Sequence, residues 1–258
     1  MTLEASVLLT TRLLSFTMLL QAIEIFILSR QSNFQHVWSY KNIQRDLERG
    51  LPLNAKLIQK LFSIPSLQKI AAIQIALSGL AAFQPLSVFF IGLFATHLLI
   101  CIRFRGAFNG GSDMMTFVVL TGAIIATLGF SKIGLIYIAT HTLYSYFKAG
   151  LAKVKYKEWR NGQAIPAFLM RSIFPDIQNA ATKLAKHKAF NMLLGWGTLI
   201  FELSALGLLF TPSSSYLYFA LAVVFHLAIY FSFGLNRFFW IWITAWPATL
   251  FSLSLLNQ

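Results

Sequence analysis

Long apolar runs dominate this sequence and constrain its fold more than any other feature. A membrane-spanning helix needs about 20 consecutive apolar residues, and the run from Ala5 to Leu28 alone reaches that length. The chain is 57% hydrophobic and only 11% charged, whereas globular domains carry about 25% charged residues. Its 25 Phe, 6 Trp and 8 Tyr exclude a disordered chain, which would be poor in aromatics. The sequence therefore predicts an integral membrane protein.

The positions of the apolar runs predict a bundle of about eight transmembrane helices. The run at 66–103 is too long for one span, and Phe83-Gln84-Pro85 lies near its middle. Because proline cannot continue a hydrogen-bonded helix, this run is predicted to form a tight helical hairpin. We expect an all-α transmembrane domain that occupies 1–258, with no separate soluble domain. The runs lie at about 5–28, 66–103, 114–130, 132–152, 189–210, 216–232 and 235–256, and the second counts as two spans.

Two basic stretches, 29–65 and 153–188, separate groups of apolar runs. Their spaced apolar residues predict short amphipathic helices at the membrane interface. With eight spans, all Lys and Arg residues except Arg12 and Lys132 fall on one side, and Lys plus Arg exceed Asp plus Glu by 21 to 8. Positive charge in short loops stays in the cytoplasm, so both termini are predicted to be extracytoplasmic. The expected partners of the excess charge are anionic lipid headgroups, not nucleic acid.

Several ionisable groups interrupt the apolar runs, and each is a candidate functional residue because its burial in hydrocarbon is expensive. Alternatives exist, since Lys148 can snorkel to the interface and Glu202 can hydrogen-bond a neighbouring helix. The histidines lie on different runs without metal-ligand spacing, so no metal is expected. The single cysteine, Cys101, cannot form an intrachain disulfide. The full set is Glu24, His97, His141, Lys148, Lys153, Glu202, His226 and Arg237.

The segment from Arg103 to Asp113 contains two arginines, paired glycines and an acid between two predicted spans. One interpretation is structural, with Asn109 forming the turn and Asp113 capping the next helix. The other is an anion or headgroup site formed by Arg103, Arg105 and the helix start. On the second interpretation, the two arginines are predicted to lie near the mouth of one cavity with Lys153.

A second segment, from Tyr146 to Gly162, contains Lys153 at the end of a span and Trp159 shortly after it. Desolvation favours the neutral form of a lysine, which makes Lys153 a candidate general base or acid. His226 lies in the cytoplasmic half of the seventh predicted span. We therefore predict that Lys153 and His226 converge inside the bundle, with outward snorkelling of Lys153 and simple packing of His226 as the alternative.

The same segment, with Ala149-Gly150, Lys153, Trp159 and Gly162, resembles the membrane domain of vitamin K-dependent gamma-carboxylases and the bacterial horizontally transferred transmembrane (HTTM) family. The resemblance extends from Arg103 onward, through Asn109 to Asp113, Glu202 to Gly207 and Phe225-His226. It implies that Lys153 is the base that deprotonates reduced vitamin K. Two departures stand out: Gly110 replaces a histidine of the carboxylases, and no large globular region for propeptide and glutamate follows before Gln258.

The resemblance implies two functions in a bacterial inner membrane. In the first, the protein acts on a reduced quinone, with Lys153 as base, His226 as its partner, and Trp159 and Glu202 beside the substrate. In the second, it is a non-catalytic accessory protein that binds a membrane partner or a secreted peptide during maturation or export. A transporter is the weakest option, because symmetric pairs of broken helices are lacking.

Overall fold

The computed structural model describes residues 1–104 and 110–257, and throughout these ranges the chain is helical, with no β-strand. The described chain forms two compact units. The N-terminal unit is Leu3–Leu135, and the C-terminal unit runs from Ile136 onward together with Met1–Thr2. The all-α class predicted from the sequence is confirmed.

The N-terminal unit is built on three long helices and a fourth that packs on two of them. Helix α1 packs on α5, α5 on α6, and α7 on both α6 and α1. The predicted hairpin is confirmed, because α5 ends at Phe83 and α6 begins at Ser87, on either side of Pro85. The helices are α1 (Leu3–Leu28), α2 (Ser32–Val37), α3 (Tyr40–Gly50), α4 (Ala55–Phe62), α5 (Ile64–Phe83), α6 (Ser87–Arg103), α7 (Gly110–Thr127) and the start of α8 (Ser131–Val154).

Helix α1 buries many polar side chains beside apolar ones and exposes several large apolar side chains, unlike a typical helix of a water-soluble protein. Its buried face includes Ser6, Thr10, Thr11, Ser15 and Gln21, whereas Leu8, Phe16, Ile23 and Ile27 are exposed. The amide of Gln74 on α5 donates to the carbonyl of Met18 at 3.0 Å. Polar contacts of this kind join helices in a membrane, where lipid removes the hydrophobic drive for association.

The first basic stretch forms three short helices, α2 to α4, as the sequence predicts. Leu47 on α3 packs with Ile58 and Phe62 on α4 in a small buried cluster, while the lysines and arginines of these helices are exposed. Helix α4 begins after Asn54, whose side chain accepts a hydrogen bond from the backbone of Leu57 at 2.8 Å. The apolar faces of α3 and α4 therefore meet, which leaves their basic faces to the surroundings.

The C-terminal unit contains the rest of α8, three short helices in the second basic stretch, two long helices, α12 and α13, and two helices of nine residues each, α14 and α15. Helix α12 tightens into a 3-10 helix, Ser204–Leu209, directly after Glu202 and Leu203. The predicted last span at 235–256 is broken at Ala245, because Pro247 supplies no backbone N–H to continue α14. The helices are α9 (Lys157–Arg160), α10 (Ala164–Leu169), α11 (Pro175–Leu184), α12 (Lys188–Leu203), α13 (Ser215–Phe233), α14 (Asn236–Thr244) and α15 (Trp246–Ser254).

Four helical segments are long and apolar enough to cross a membrane: Leu3–Leu28, Ile64–Phe83, Lys188–Leu209 and Pro212–Phe233. Helices α6 and α7 are apolar but shorter. These segments support a membrane protein, and their exposed surfaces are lined by large apolar side chains. The count of about eight spans stays a prediction.

Candidate functional site

A close crossing of α8 and α12 brings Lys153 to Glu202. A Cβ atom at Gly150 would lie 2.8 Å from Cγ of Leu203 and 3.0 Å from its backbone nitrogen, so the two helices approach as only glycine permits. Lys153 lies three residues after Gly150 and therefore on the same face of α8. Glu202 precedes Leu203. The Lys153 ammonium consequently forms an ion pair with Oε1 of Glu202.

The two members of this ion pair differ in exposure. Glu202 is 3% exposed, whereas the side chain of Lys153 is 25% exposed. The Lys153 ammonium also lies 5.3 Å from the centroid of the Trp159 ring, within the range of a cation–π contact. The carboxylate and the indole ring thus both contact the ammonium, while the lysine side chain stays partly open to its surroundings.

Two glycines hold the segment around Trp159 against α12. Gly162 has a φ of +82°, and a Cβ there would lie 2.5 Å from the backbone nitrogen of Met192. A Cβ at Gly195 would lie 2.3 Å from the carbonyl oxygen of Trp159. Side chains at these two positions would push the segment away from the helix. The glycines therefore keep the Trp159 ring over Lys153.

An aromatic cluster of Tyr146, Phe201, His226 and Trp242 surrounds the predicted catalytic histidine. The Tyr146 hydroxyl and Nε2 of His226 are 2.7 Å apart and share a hydrogen bond. The Trp242 indole stacks on the imidazole, with centroids 5.2 Å apart and ring planes 19° from parallel. Tyr146 and His226 are both buried. These contacts fix the orientation of the imidazole ring.

Lys153 and His226, the two predicted catalytic residues, bind different partners. Lys153 binds Glu202, whereas His226 binds Tyr146. Phe201 connects the two pairs, because it precedes Glu202 in α12 and its ring lies 5.4 Å from that of Tyr146. The two residues thus belong to one connected group of side chains, and their joint catalytic role stays a prediction.

Three polar atoms in this group are buried without a hydrogen-bond partner among the residues that the structure describes. They are Oε2 of Glu202, Nδ1 of His226 and Nε1 of Trp242. Buried polar atoms are nearly always hydrogen-bonded, to protein or to ordered water, so three such atoms in one group call for a physical reason. They offer an acceptor and up to two donors to a small polar group inside otherwise apolar surroundings.

The second basic stretch contains a cavity of about 340 Å³, within the size range of small-molecule sites. Asn191 is buried at its wall and donates to the carbonyl of Leu184 at 2.7 Å, while its Oδ1 has no partner among the described residues. Lys188 adds a positive charge. The wall of the cavity therefore presents one hydrogen-bond acceptor and one positive charge. Other lining residues are Asn161, Gln163, Pro166 and Met170.

The predicted headgroup site is described only in part, because Arg105 and Asn109 lie outside the described residues. Arg103 is buried, and its Nη2 donates to the carbonyl of Trp38. Its guanidinium carbon lies 5.7 Å from the centroid of the Phe104 ring, which itself packs edge-on against Trp38. Arg103 therefore ties the end of α2 to the end of α6. The headgroup site, and its cavity shared with the predicted base, stay predictions.

Asp113 lies within the first turn of α7, which begins at Gly110, and is buried. Nε2 of His97 is 3.3 Å from the carbonyl oxygen of Asp113 and 3.4 Å from Sγ of Cys101. Two candidates, His97 from an apolar run and Asp113 from the polar segment after it, are thus brought together with the single cysteine. The spacing of the histidines along the chain gives no signal for this group, because its three ligands are of different residue types.

Two further members of the site had weaker signals in the sequence. Tyr146 lies in the segment that resembles the carboxylases, but nothing in that motif indicates a role for its hydroxyl. Trp242 lies 16 residues after His226 beyond a chain reversal at Gly234, so no local pattern links them. Two other candidates lie apart from this group: His141 packs on Tyr137, and the exposed Lys148 lies over a tyrosine ring.

No family model, no curated protein and no solved structure matches this chain. The resemblance to the HTTM family and to the carboxylase membrane domain therefore rests on the sequence motifs alone.

Proposed function

We propose that this chain is an HTTM-like, multi-pass protein of a bacterial inner membrane, with about eight spans, which deprotonates a lipophilic quinol with Lys153 as the base. One observation carries the proposal: Lys153 forms an ion pair with Glu202, a carboxylate 3% exposed within an apolar helix. Ionisable residues inside a membrane helix are rare and usually functional.

In the proposed step, Glu202 holds the proton that Lys153 releases. A proton moves from the Lys153 ammonium to Glu202, and the neutral amine then accepts a proton from a hydroxyl group of the quinol. The products are a quinolate anion and a lysine ammonium, which attract each other in a medium of low dielectric constant. Trp159 would cover the ammonium, and the unpartnered atoms of His226 and Trp242 would hydrogen-bond the ring oxygens of the substrate.

Quinol oxidation by dissolved oxygen tests this proposal, because a quinolate reacts with oxygen faster than its protonated quinol. The purified protein in detergent would receive a reduced short-chain naphthoquinone, and oxygen uptake would be measured. We expect Lys153→Met to slow the protein-dependent rate by about 100-fold or more, the usual contribution of a general base. His226→Phe should also slow it, because the imidazole holds the substrate.

Matched controls exist for both variants. Lys148→Met removes an exposed lysine from the same helix, and His141→Phe removes a histidine whose ring packs on Tyr137 outside the aromatic cluster. Both should retain the wild-type rate. A folded Lys153→Met protein that keeps the full rate would end the proposal.

The second candidate function is that of an accessory protein which binds a membrane partner or a secreted peptide. The cavity of about 340 Å³ beside Lys188 and Asn191 favours it. A photocrosslinking residue at Met170, which lines this cavity, should then capture a peptide or protein in native membranes. The same probe at Leu217, exposed on α13, is the control. Equal products from both positions would count against a specific partner.

A further inference from the structure

Three metal-binding side chains of different types meet where α6 lies against α7 in the N-terminal unit. His97 and Cys101 are four residues apart on α6 and so share one face of the helix. Asp113 faces them from the first turn of α7. One ligand atom from each residue, an imidazole nitrogen, a thiol sulfur and a carboxylate oxygen, lies within 4.8 Å of the other two.

The spacing of these atoms fits a tetrahedral zinc ion. Zinc–nitrogen bonds of about 2.0–2.1 Å and zinc–sulfur bonds of about 2.3 Å place the two ligand atoms about 3.5 Å apart at a tetrahedral angle. Sγ of Cys101 is 3.4 Å from Nε2 of His97. The Phe117 ring packs on the imidazole, with centroids 4.7 Å apart. The aromatic contact limits rotation of the histidine away from its two neighbours.

The charges of the three ligands also suit a divalent ion in apolar surroundings. A thiolate and a carboxylate together carry two negative charges, and a neutral imidazole carries none. A bound divalent cation therefore gives a set of ligands and metal with no net charge. The thiolate selects a borderline metal such as zinc over magnesium or calcium, which prefer oxygen ligands.

We propose that His97, Cys101 and Asp113 bind one zinc-class divalent ion and leave its fourth coordination position open to water or to a small ligand. Three protein ligands with an open position are typical of catalytic zinc sites, and four protein ligands are typical of structural ones. The site links the last turns of α6 to the first turn of α7, and it requires neither Lys153 nor Glu202.

Alkylation of Cys101 provides a direct test, because it is the only thiol in the chain and is half-buried. Wild-type protein in detergent would be stripped with a chelator, and the rate of alkylation by iodoacetamide would be measured with and without zinc. At a free zinc concentration about 100 times the dissociation constant, about 1% of the thiol stays unbound, so alkylation should slow about 100-fold. Magnesium at the same concentration should give no protection.

Variants of the other two ligands separate a built site from simple thiol binding. Changes to residues that only support a ligand weaken metal affinity about 10- to 100-fold, so His97→Ala and Asp113→Asn should each lose at least that much. Protection at the same zinc concentration then falls to about tenfold or less. His36→Ala, which removes an exposed histidine from the same unit, is the matched control and should keep full protection.

Cobalt offers a second measurement on the wild-type protein, independent of whether the variants fold. A thiolate-to-cobalt absorption band in the near ultraviolet should rise to one equivalent and disappear when zinc is added. Absence of zinc protection in the wild type would overturn the proposal. Equal protection in the wild type, His97→Ala and Asp113→Asn would overturn it as well, because the thiol alone would then bind the metal.

Discussion

Removing Lys153 from its ion pair with Glu202 should destabilise the protein much more than removing Glu202. The reason is their unequal exposure, 25% for the lysine side chain and 3% for the glutamate. Lys153→Met leaves a carboxylate buried in an apolar helix. Glu202→Gln leaves a lysine that is already partly exposed and can extend its ammonium to the interface.

The two losses of stability depend on how each remaining group can avoid being an unpaired charge in apolar surroundings. Removing one partner of a buried pair usually costs about 3–5 kcal/mol. A lone carboxylate can take up a proton instead, and for an ordinary carboxyl pKa of about 4.3 this costs about 3.7 kcal/mol at pH 7. Lys153→Met should therefore lower the free energy of unfolding by about 3–4 kcal/mol at pH 7. Glu202→Gln should lower it by about 1 kcal/mol or less, as for a partly exposed pair.

The pH dependence of the lysine variant has a definite sign. If the folded Lys153→Met protein holds a proton on Glu202 that the unfolded chain does not hold, its stability must fall as the pH rises. The loss relative to the wild type should shrink from about 3–4 kcal/mol at pH 7 to about 1 kcal/mol at pH 5. The glutamine variant carries no carboxyl group at this position and should show no such trend.

Reversible unfolding in mixed micelles, titrated with sodium dodecyl sulfate, gives the required free energies. The double variant, Lys153→Met with Glu202→Gln, should be more stable than Lys153→Met alone, because glutamine is neutral without taking up a proton. Equal losses in the two single variants, or no recovery in the double variant, would refute the argument from burial. Lys148→Met, on the same helix, should change stability by less than about 0.5 kcal/mol.

Three further predictions concern other parts of the fold. Gly195→Ala should lower the free energy of unfolding by about 1–3 kcal/mol, because its Cβ would overlap the carbonyl of Trp159. Gly197→Ala, whose Cβ would meet nothing within 4 Å, should be neutral or stabilising. The micelle titration measures both values. Gln74→Leu should cost about 0.6–2 kcal/mol in the same titration, since it removes the hydrogen bond from α5 to α1. A reporter that fluoresces only in the cytoplasm should stay dark at the C terminus, and a bright signal would reverse the topology.

The sequence predicted those parts of the fold that depend on local pattern. The hairpin at Pro85 and the short helices of the basic stretches follow from residues close together in the chain. The break between α14 and α15 also has a local cause, Pro247, but a long apolar run obscured it. Hydropathy averages the apolar character of such a run and therefore predicts a single span. A continuous helix also requires a backbone N–H group at each position, which Pro247 lacks.

The contacts of the candidate site were less predictable, because they depend on helix crossings. Gly150 is part of the Ala149-Gly150 motif. Its role is a close approach to Leu203 that places Lys153 beside Glu202, and this role can be inferred only when the opposite helix is known. The contacts of Arg103 were difficult to predict for the same reason. A basic residue after an apolar run suggests a headgroup site, yet its guanidinium lies buried between Trp38 and Phe104, which are distant from one another in sequence.

The charged groups of the two proposed sites differ in their position along the helices. Lys153 is in the last turn of α8 and Asp113 is in the first turn of α7. Charge is least expensive near the ends of a span, where water, protons and metal ions have access. Glu202 lies instead within the segment Lys188–Leu209, and His226 lies within α13, where Tyr146 holds it in the aromatic cluster. Access to water is therefore expected at the partly exposed Lys153, and orientation of a substrate is the role that suits His226.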